Sequence, residues 1–161
     1  SNMINRAKDK NLDVELLNIK DVKSKYHCAT AIFDVLNYIE PKELDAFLND
    51  VYNLLEPDGY FIADINTLFG FDEIAQGTAS IDKDDRTIIL DSIYENGILD
   101  TEITLFKRLD NNLYKKYCDK ITQYYHKIEA LENSKLTIIN KENISLYDFE
   151  DDKTIIIFQK N

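Results

Sequence analysis

Between residues 41 and 66 the hydrophobic pattern changes period. Leu44, Phe47, Leu48, Val51, Tyr52 and Leu55 recur at helical spacing and form one apolar stripe, while Asp45, Asn49, Asp50 and Asn53 fill the opposite face. Pro41 suits the first turn, where its missing amide has no intrahelical partner, and Pro57-Asp58-Gly59 is expected to end the helix and reverse the chain. Tyr60 to Ile65 is nearly all apolar, which predicts a central parallel strand covered on both faces.

The flanking patterns extend this unit. Residues 3–10 read as the end of a helix, because Lys8 and Lys10 suit a carboxyl terminus and no cap opens the segment. Val14 to Leu17 and Tyr26 to Phe33 are expected as strands separated by a polar loop. Strands alternating with a helix imply right-handed crossovers and a parallel sheet. Ligands of such sheets bind outside the carboxyl ends of the strands, here residues 17–19, 32–34 and 64–66. Asn18, Asp34, Asp64 and Asn66 at these corners can hydrogen-bond a polar ligand, and they can equally be turn formers.

After Asn66 the pattern alternates with period two. A short helix is expected over 68–76 and an acidic loop over 78–85, followed by strands over 87–94, 98–108 and 113–125. Asn96-Gly97 is a strong hairpin signal, since both residues tolerate positive φ. Asp110-Asn111-Asn112 is expected to make the next turn. The three strands read as an antiparallel meander added to the parallel part. Residues 126–133 allow at most two helical turns. Strands are then expected over 136–139, 144–149 and 154–158, the last antiparallel because only a tight turn precedes it.

Composition narrows the class. The 161 residues fit one domain, and 44% hydrophobic residues suffice for a core. A net charge of -11 argues against nucleic acid or an anionic membrane as main partner. No apolar run is long enough to span a bilayer, so a soluble, cytoplasmic protein is expected. Cys28 and Cys118 form neither a metal motif nor a disulfide framework. Ser1 and Asn2 resemble a tag remnant. His27, at the amino end of its strand, points away from the ligand edge, and His126 reads more readily as a surface histidine than as a base.

Two phrases in order carry a family likeness: AIFDVLNYI at 31–39 and FLNDVYNLLEPDGYFIADINT at 47–67. They resemble the fourth strand, and the helix, turn and fifth strand, of class I S-adenosylmethionine-dependent methyltransferases of the small-molecule type. Glu56 and Asp58 replace the family's usual lysine and first glycine in the turn. The resemblance implies an α/β fold, an incomplete Rossmann-like methyltransferase sheet with an inserted antiparallel β-meander. It divides one partial domain over 3–161 into a parallel part (3–77), the insert (78–125) and carboxyl-terminal strands (126–161).

The same resemblance implies S-adenosylmethionine as cofactor and a small-molecule substrate; the sequence itself offers no metal-ligand cluster, so no metal is expected. Asn18, Ile19, Phe33, Asp34 and Asn37 then fall on the cofactor side, and Asp64, Asn66, Tyr124 and Tyr125 face the methyl acceptor. The family's acid near the adenine falls at Asn18, and the acid that opens strand four at His27. The family's glycine-rich loop and ribose-binding acid would precede residue 3, so the chain is expected to carry part of the cofactor site and to be inactive alone. The alternative is a non-catalytic methyltransferase-fold fragment acting as an interaction domain or as a homodimer through an exposed sheet edge.

Overall fold

The computed structural model describes residues 2–109, 113–147 and 150–161. Its centre is the predicted helix and strand. Helix α1 spans Asn2–Asp9, α2 spans Pro41–Leu54, and α3 is the short Ile128–Glu132. Pro41 occupies the first turn of α2, and Leu44, Leu48 and Val51 on its apolar stripe are buried. They pack on Phe61, Ala63 and Ile65 of the long strand β2, Leu55–Asn66. Phe61 stacks on Phe158 at 5.4 Å and meets Phe47 edge-on at 6.5 Å. Burying side chains of this size stabilises by about 1.5–3 kcal/mol each. Lys160 caps the far end of α2, donating Nζ to the carbonyls of Tyr52 and Leu55.

β1 (Tyr26–Ala31) pairs parallel with β2, and β8 (Lys153–Gln159) pairs antiparallel with both β2 and β7 (Thr137–Ile144). The sheet order is β1-β2-β8-β7. The antiparallel closing strand matches its expectation. The Pro57-Asp58-Gly59 segment does not separate helix from strand; it is an irregularity inside β2. Tyr26 pairs with Leu55 but Cys28 with Tyr60, and Asp58 takes up a φ of 60°.

Two strand expectations fail for reasons of pairing. Residues 14–17 are irregular, because no described strand lies beside them to complete a ladder. The separate strands expected over 136–139 and 144–149 are replaced by one strand, β7. Its polar middle, Asn140 to Asn143, stays extended because, past an irregularity at Ile139, β8 pairs with each of these residues and the side chains of an edge strand remain wet. Phe149, the end of the second expected strand, lies outside the described residues.

A second sheet has four strands, not three: β3 (Gly77–Lys83), β4 (Arg86–Glu95), β5 (Ile98–Arg108) and β6 (Tyr114–Tyr124), in sequence order. The acidic segment expected as a loop pairs with β4 as β3, from Gly77 opposite Ser92 to Lys83 opposite Arg86. Ladder bonds and threonine pairs such as Thr78 Oγ1 to Asp91 at 2.8 Å hold it despite its charge. Asn96 and Gly97, with φ of 53° and 82°, form the expected hairpin turn. The turn expected at Asp110-Asn111-Asn112 lies outside the described residues.

Candidate active site

β1 and β2 end side by side, and the chain leaves β1 through two consecutive residues in the left-handed region, Phe33 at φ 66° and Asp34 at φ 62°. Neither is glycine, so the conformation costs on the order of 1–2 kcal/mol per residue and must be held by its surroundings. Asp64, near the end of β2, does the holding. One carboxylate oxygen accepts the Phe33 amide at 2.7 Å and the other the Asp34 amide at 3.3 Å. Lys153, the first residue of β8, donates to Asp64 at 2.9 Å and forms an ion pair with Asp34.

Asp64 is the buried member of this triad, at 5% exposure, while Asp34 and Lys153 are half-buried. Burial works against the Asp64 charge, yet the hydrogen bond and charge of Lys153 and the amides of Asp34 and Phe33 outweigh it and hold the carboxyl below its ordinary range. Burial likewise opposes the Lys153 charge, and hydrogen bonds to Asp34 and Asp64 reverse the effect and raise it. Asp64 and Lys153 are therefore both ionised near neutrality. Held by this frame, the Phe33 ring projects into solvent at 84% exposure.

Asn37 is fully buried on the 3-10 turn Val35–Tyr38 that follows. Its Nδ2 donates to the Tyr124 carbonyl at 2.9 Å, and its Oδ1 accepts the Asn66 amide at 3.0 Å. One side chain therefore ties the end of β2 to the end of the meander. His126 is a correction: it is buried, not on the surface. With two carbonyls as neighbours, those of Leu36 and Ile39 at 3.0 Å each, Nε2 carries the proton and donates to both. Burial lowers its pKa more than these bonds raise it. Its ring nitrogen is spent on the backbone, which leaves it a structural role.

A cavity of about 180 Å³ opens at this edge, lined by Asp34, Asn66, Gly70, Gln123, Tyr147 and Lys153 among others. The π-helical turn Gly70–Ala75 forms one wall. Gly70 lies so close to the 151–152 turn that an added Cβ would stand 2.4 Å from the Asp152 carbonyl oxygen. The Tyr125 ring packs edge-on against Phe71 of the same turn at 6.0 Å.

The structure thus gathers Phe33, Asp34, Asn37, Asp64 and Asn66 at one edge, with Tyr124 and Tyr125 joined to them through Asn37 and Phe71. It does not bring Asn18 and Ile19 there. Asn18 caps the 3-10 turn Ile19–Asp21, and Ile19 lines a hollow with Asp50, Asn53 and Leu54 at the far end of α2, beside the amino ends of β1 and β2. The reason is packing: Ile19 is apolar and finds the hydrophobic core there. Lys153 and Gln123 escaped the sequence reading. An antiparallel last strand necessarily starts where β2 ends, so a lysine opening an apolar run was a usable signal for the first. Nothing in the sequence marks the second.

Among the described residues no three metal-ligating side chains cluster, and no helix is long and apolar enough to cross a membrane. Both cysteines are free and exposed.

No family model matches the chain. It is 26% identical over 110 residues to a provisionally named methyltransferase of Geobacillus sp. (strain WCH70), a match spanning 66% of this chain and 44% of that protein. Its structure is similar to that of an S-adenosylmethionine-dependent methyltransferase from Clostridium acetobutylicum ATCC 824, with a TM-score of 0.80 and 21% identity, over 98% of this chain and 69% of that one. The sugar N-methyltransferase KedS8 from Streptoalloteichus sp ATCC 53650 superposes with a TM-score of 0.73 at 12% identity, over 99% of this chain and 67% of that one.

Proposed function

Starting from a chain that has the α/β fold of class I S-adenosylmethionine-dependent methyltransferases, we propose that it forms the strand-end wall of an enzyme that methylates a small polar molecule. The observation that carries this reading is the exposed Phe33 ring on a strained backbone pinned by the Asp64–Lys153–Asp34 triad. Strain of this kind persists only where surrounding structure enforces it, and it gathers at ligand sites.

The residues fit the cofactor's reactive end. A sulfonium is favoured by an aromatic face and by a nearby carboxylate, and Phe33 and Asp34 present one of each at adjacent positions. Bound S-adenosylmethionine would supply an electrophilic methyl group. The protein's share of an in-line transfer is alignment and exclusion of water rather than acid or base chemistry. Phe33 shields one side, Asn37 fixes the carbonyl of Tyr124 and the amide of Asn66, and Asp34 can accept a hydrogen bond from an acceptor N–H or O–H. The cavity beyond Asp34 has a polar lining in Asn66, Gln123 and Lys153, which suits a polar acceptor; KedS8, whose acceptor is a sugar nitrogen, shares the fold.

Titration of the chain with S-adenosylhomocysteine tests this reading. The expected result is a rise in melting temperature that grows with ligand and disappears in Phe33→Ala, whose own fold is unchanged because the ring is exposed. A melting temperature that stays flat into the millimolar range would overturn cofactor binding by this chain and favour the non-catalytic alternative.

A further inference from the structure

The meander reaches the candidate site through one row of side chains. Residues directly opposite in an antiparallel ladder share a face, and Tyr94, Leu99 and Gln123 lie opposite one another at the inner ends of β4, β5 and β6. Tyr94 packs on Phe71 of the π-helical turn at 5.5 Å, and Leu99 is buried. Gln123 is half-buried and lines the cavity. One row out, the hydroxyls of Ser92 and Thr101 satisfy each other at 2.8 Å.

The amide of Gln123 has no such arrangement. Among the described residues, its Nε2 is the buried side-chain nitrogen or oxygen left without a hydrogen-bond partner. A primary amide brings two N–H donors, and a buried donor left unpaired costs more than an apolar side chain of the same shape in its place. The polar groups around it are already engaged. Lys153 is held by Asp34 and Asp64, the Asp152 carboxylate accepts the Leu146 amide at 3.0 Å, and Asn37 is occupied by the Tyr124 carbonyl and the Asn66 amide. The cavity, about 180 Å³, far exceeds the roughly 15 Å³ that one water needs. One of its walls is a π-helical turn, a form frequent at functional sites.

We propose that Gln123 is a specificity-determining residue of the acceptor site: Nε2 donates to an uncharged oxygen of the acceptor, a ring ether, carbonyl or hydroxyl, carried on a neutral or cationic small molecule. The charge follows from the lining. Lys153 is the one amine there among the described residues, and both of its carboxylate partners belong to the protein. An anionic acceptor would therefore meet Asp34 and Asp152 with no cation free to pair with it. A neutral amide donor suits a neutral oxygen instead. Calling the ligand a methyl acceptor rests on the function proposed above; the donor and its choice of ligand do not depend on cofactor binding.

A matched pair of ring amines tests this. Tetrahydropyran-3-amine carries a ring oxygen where cyclohexylamine has a methylene, and ligand-observed NMR follows each with and without S-adenosylhomocysteine. The wild type should bind the ether amine at least about fivefold more tightly, and cyclohexanecarboxylate more weakly than either. Gln123→Leu should abolish the preference and raise the melting temperature by roughly 2–4 °C, the shift expected when one uncompensated donor is removed. Gln123→Glu has no donor when ionised, so it should lose the preference too, and it decides if Gln123→Leu does not fold. Absence of any response to S-adenosylhomocysteine would overturn the methyl-transfer reading without touching the oxygen preference. A wild type indifferent to the ring oxygen, or one that binds cyclohexanecarboxylate more tightly, would overturn the proposal. So would a preference kept in either variant, or a lower melting temperature in Gln123→Leu, which would give the amide a structural partner.

Discussion

The Asn37 side chain donates to the backbone carbonyl of Tyr124, 87 residues away, at 2.9 Å. Because its oxygen also accepts the Asn66 amide, one buried amide satisfies groups from β2 and from β6 where the two sheets meet. Asn37→Leu strips partners from both half-buried backbone groups, each costing about 1–3 kcal/mol. The expected loss in urea unfolding is therefore about 2–6 kcal/mol, and a loss under 1 kcal/mol would show that water replaces the side chain.

Removing Lys153 tests the triad. Lys153→Met leaves Asp64 and Asp34 facing each other with no cation, and breaking a buried pair from one side costs about 3–5 kcal/mol. Lys153→Arg keeps the charge and should recover most of the stability. Equal losses in the two variants would mean that lysine packing, not charge, matters here.

The same groups fix a pH window. The Asp64 pKa is depressed in the fold, so its contribution is present above the unfolded value of about 3.9 and is lost as pH falls through the folded value. The Lys153 pKa is raised, so its contribution is present below about 10.4 and is lost as pH rises through the folded value. Melting temperatures of the wild type should fall at both limits, and Lys153→Met should flatten the alkaline limb. An alkaline limb unchanged in that variant would assign the loss to other groups.

His126 acts at milder pH. Its folded pKa is lowered by burial, so the unfolded chain binds the proton more readily. Stability present above about 6.5 should drain away as pH falls toward the folded value. His126→Gln should reduce the slope of stability between pH values of about 7 and 5. Identical slopes would assign the acid sensitivity in this range to other groups.

Gly70 allows the π-helical turn to rest on Asp152. In Gly70→Ala the new methyl would stand 2.4 Å from a backbone oxygen that cannot rotate away, so the turn must lift. Overpacking of this kind costs about 1–3 kcal/mol. Proteolysis should become faster in the 67–76 segment than elsewhere; protection equal to wild type would mean that the contact relaxes freely.

Local pattern carried much of this protein. The stripe from Leu44 to Leu55 and the apolar run from Tyr60 to Ile65 determined α2 and its strand, because burial follows periodicity. Asn96-Gly97 determined a hairpin, because positive φ is a local property. Phe33, Asp34, Asp64 and Asn66 could be placed at one edge from strand order, and Asn37 only through the family resemblance. Pairing across the chain was not local. Residues 14–17 carry a strand-like pattern without a ladder partner, and residues 77–83 and 140–143 carry a loop-like one yet become strand because β4 and β8 lie alongside. Only the tertiary structure brought Lys153 to Asp64, buried His126 against two carbonyls, and drew Ile19 to the far end of α2. Each of those placements depends on what remote chain segments leave unsatisfied, a charge, a carbonyl or an apolar surface, and no window of neighbouring residues contains that information.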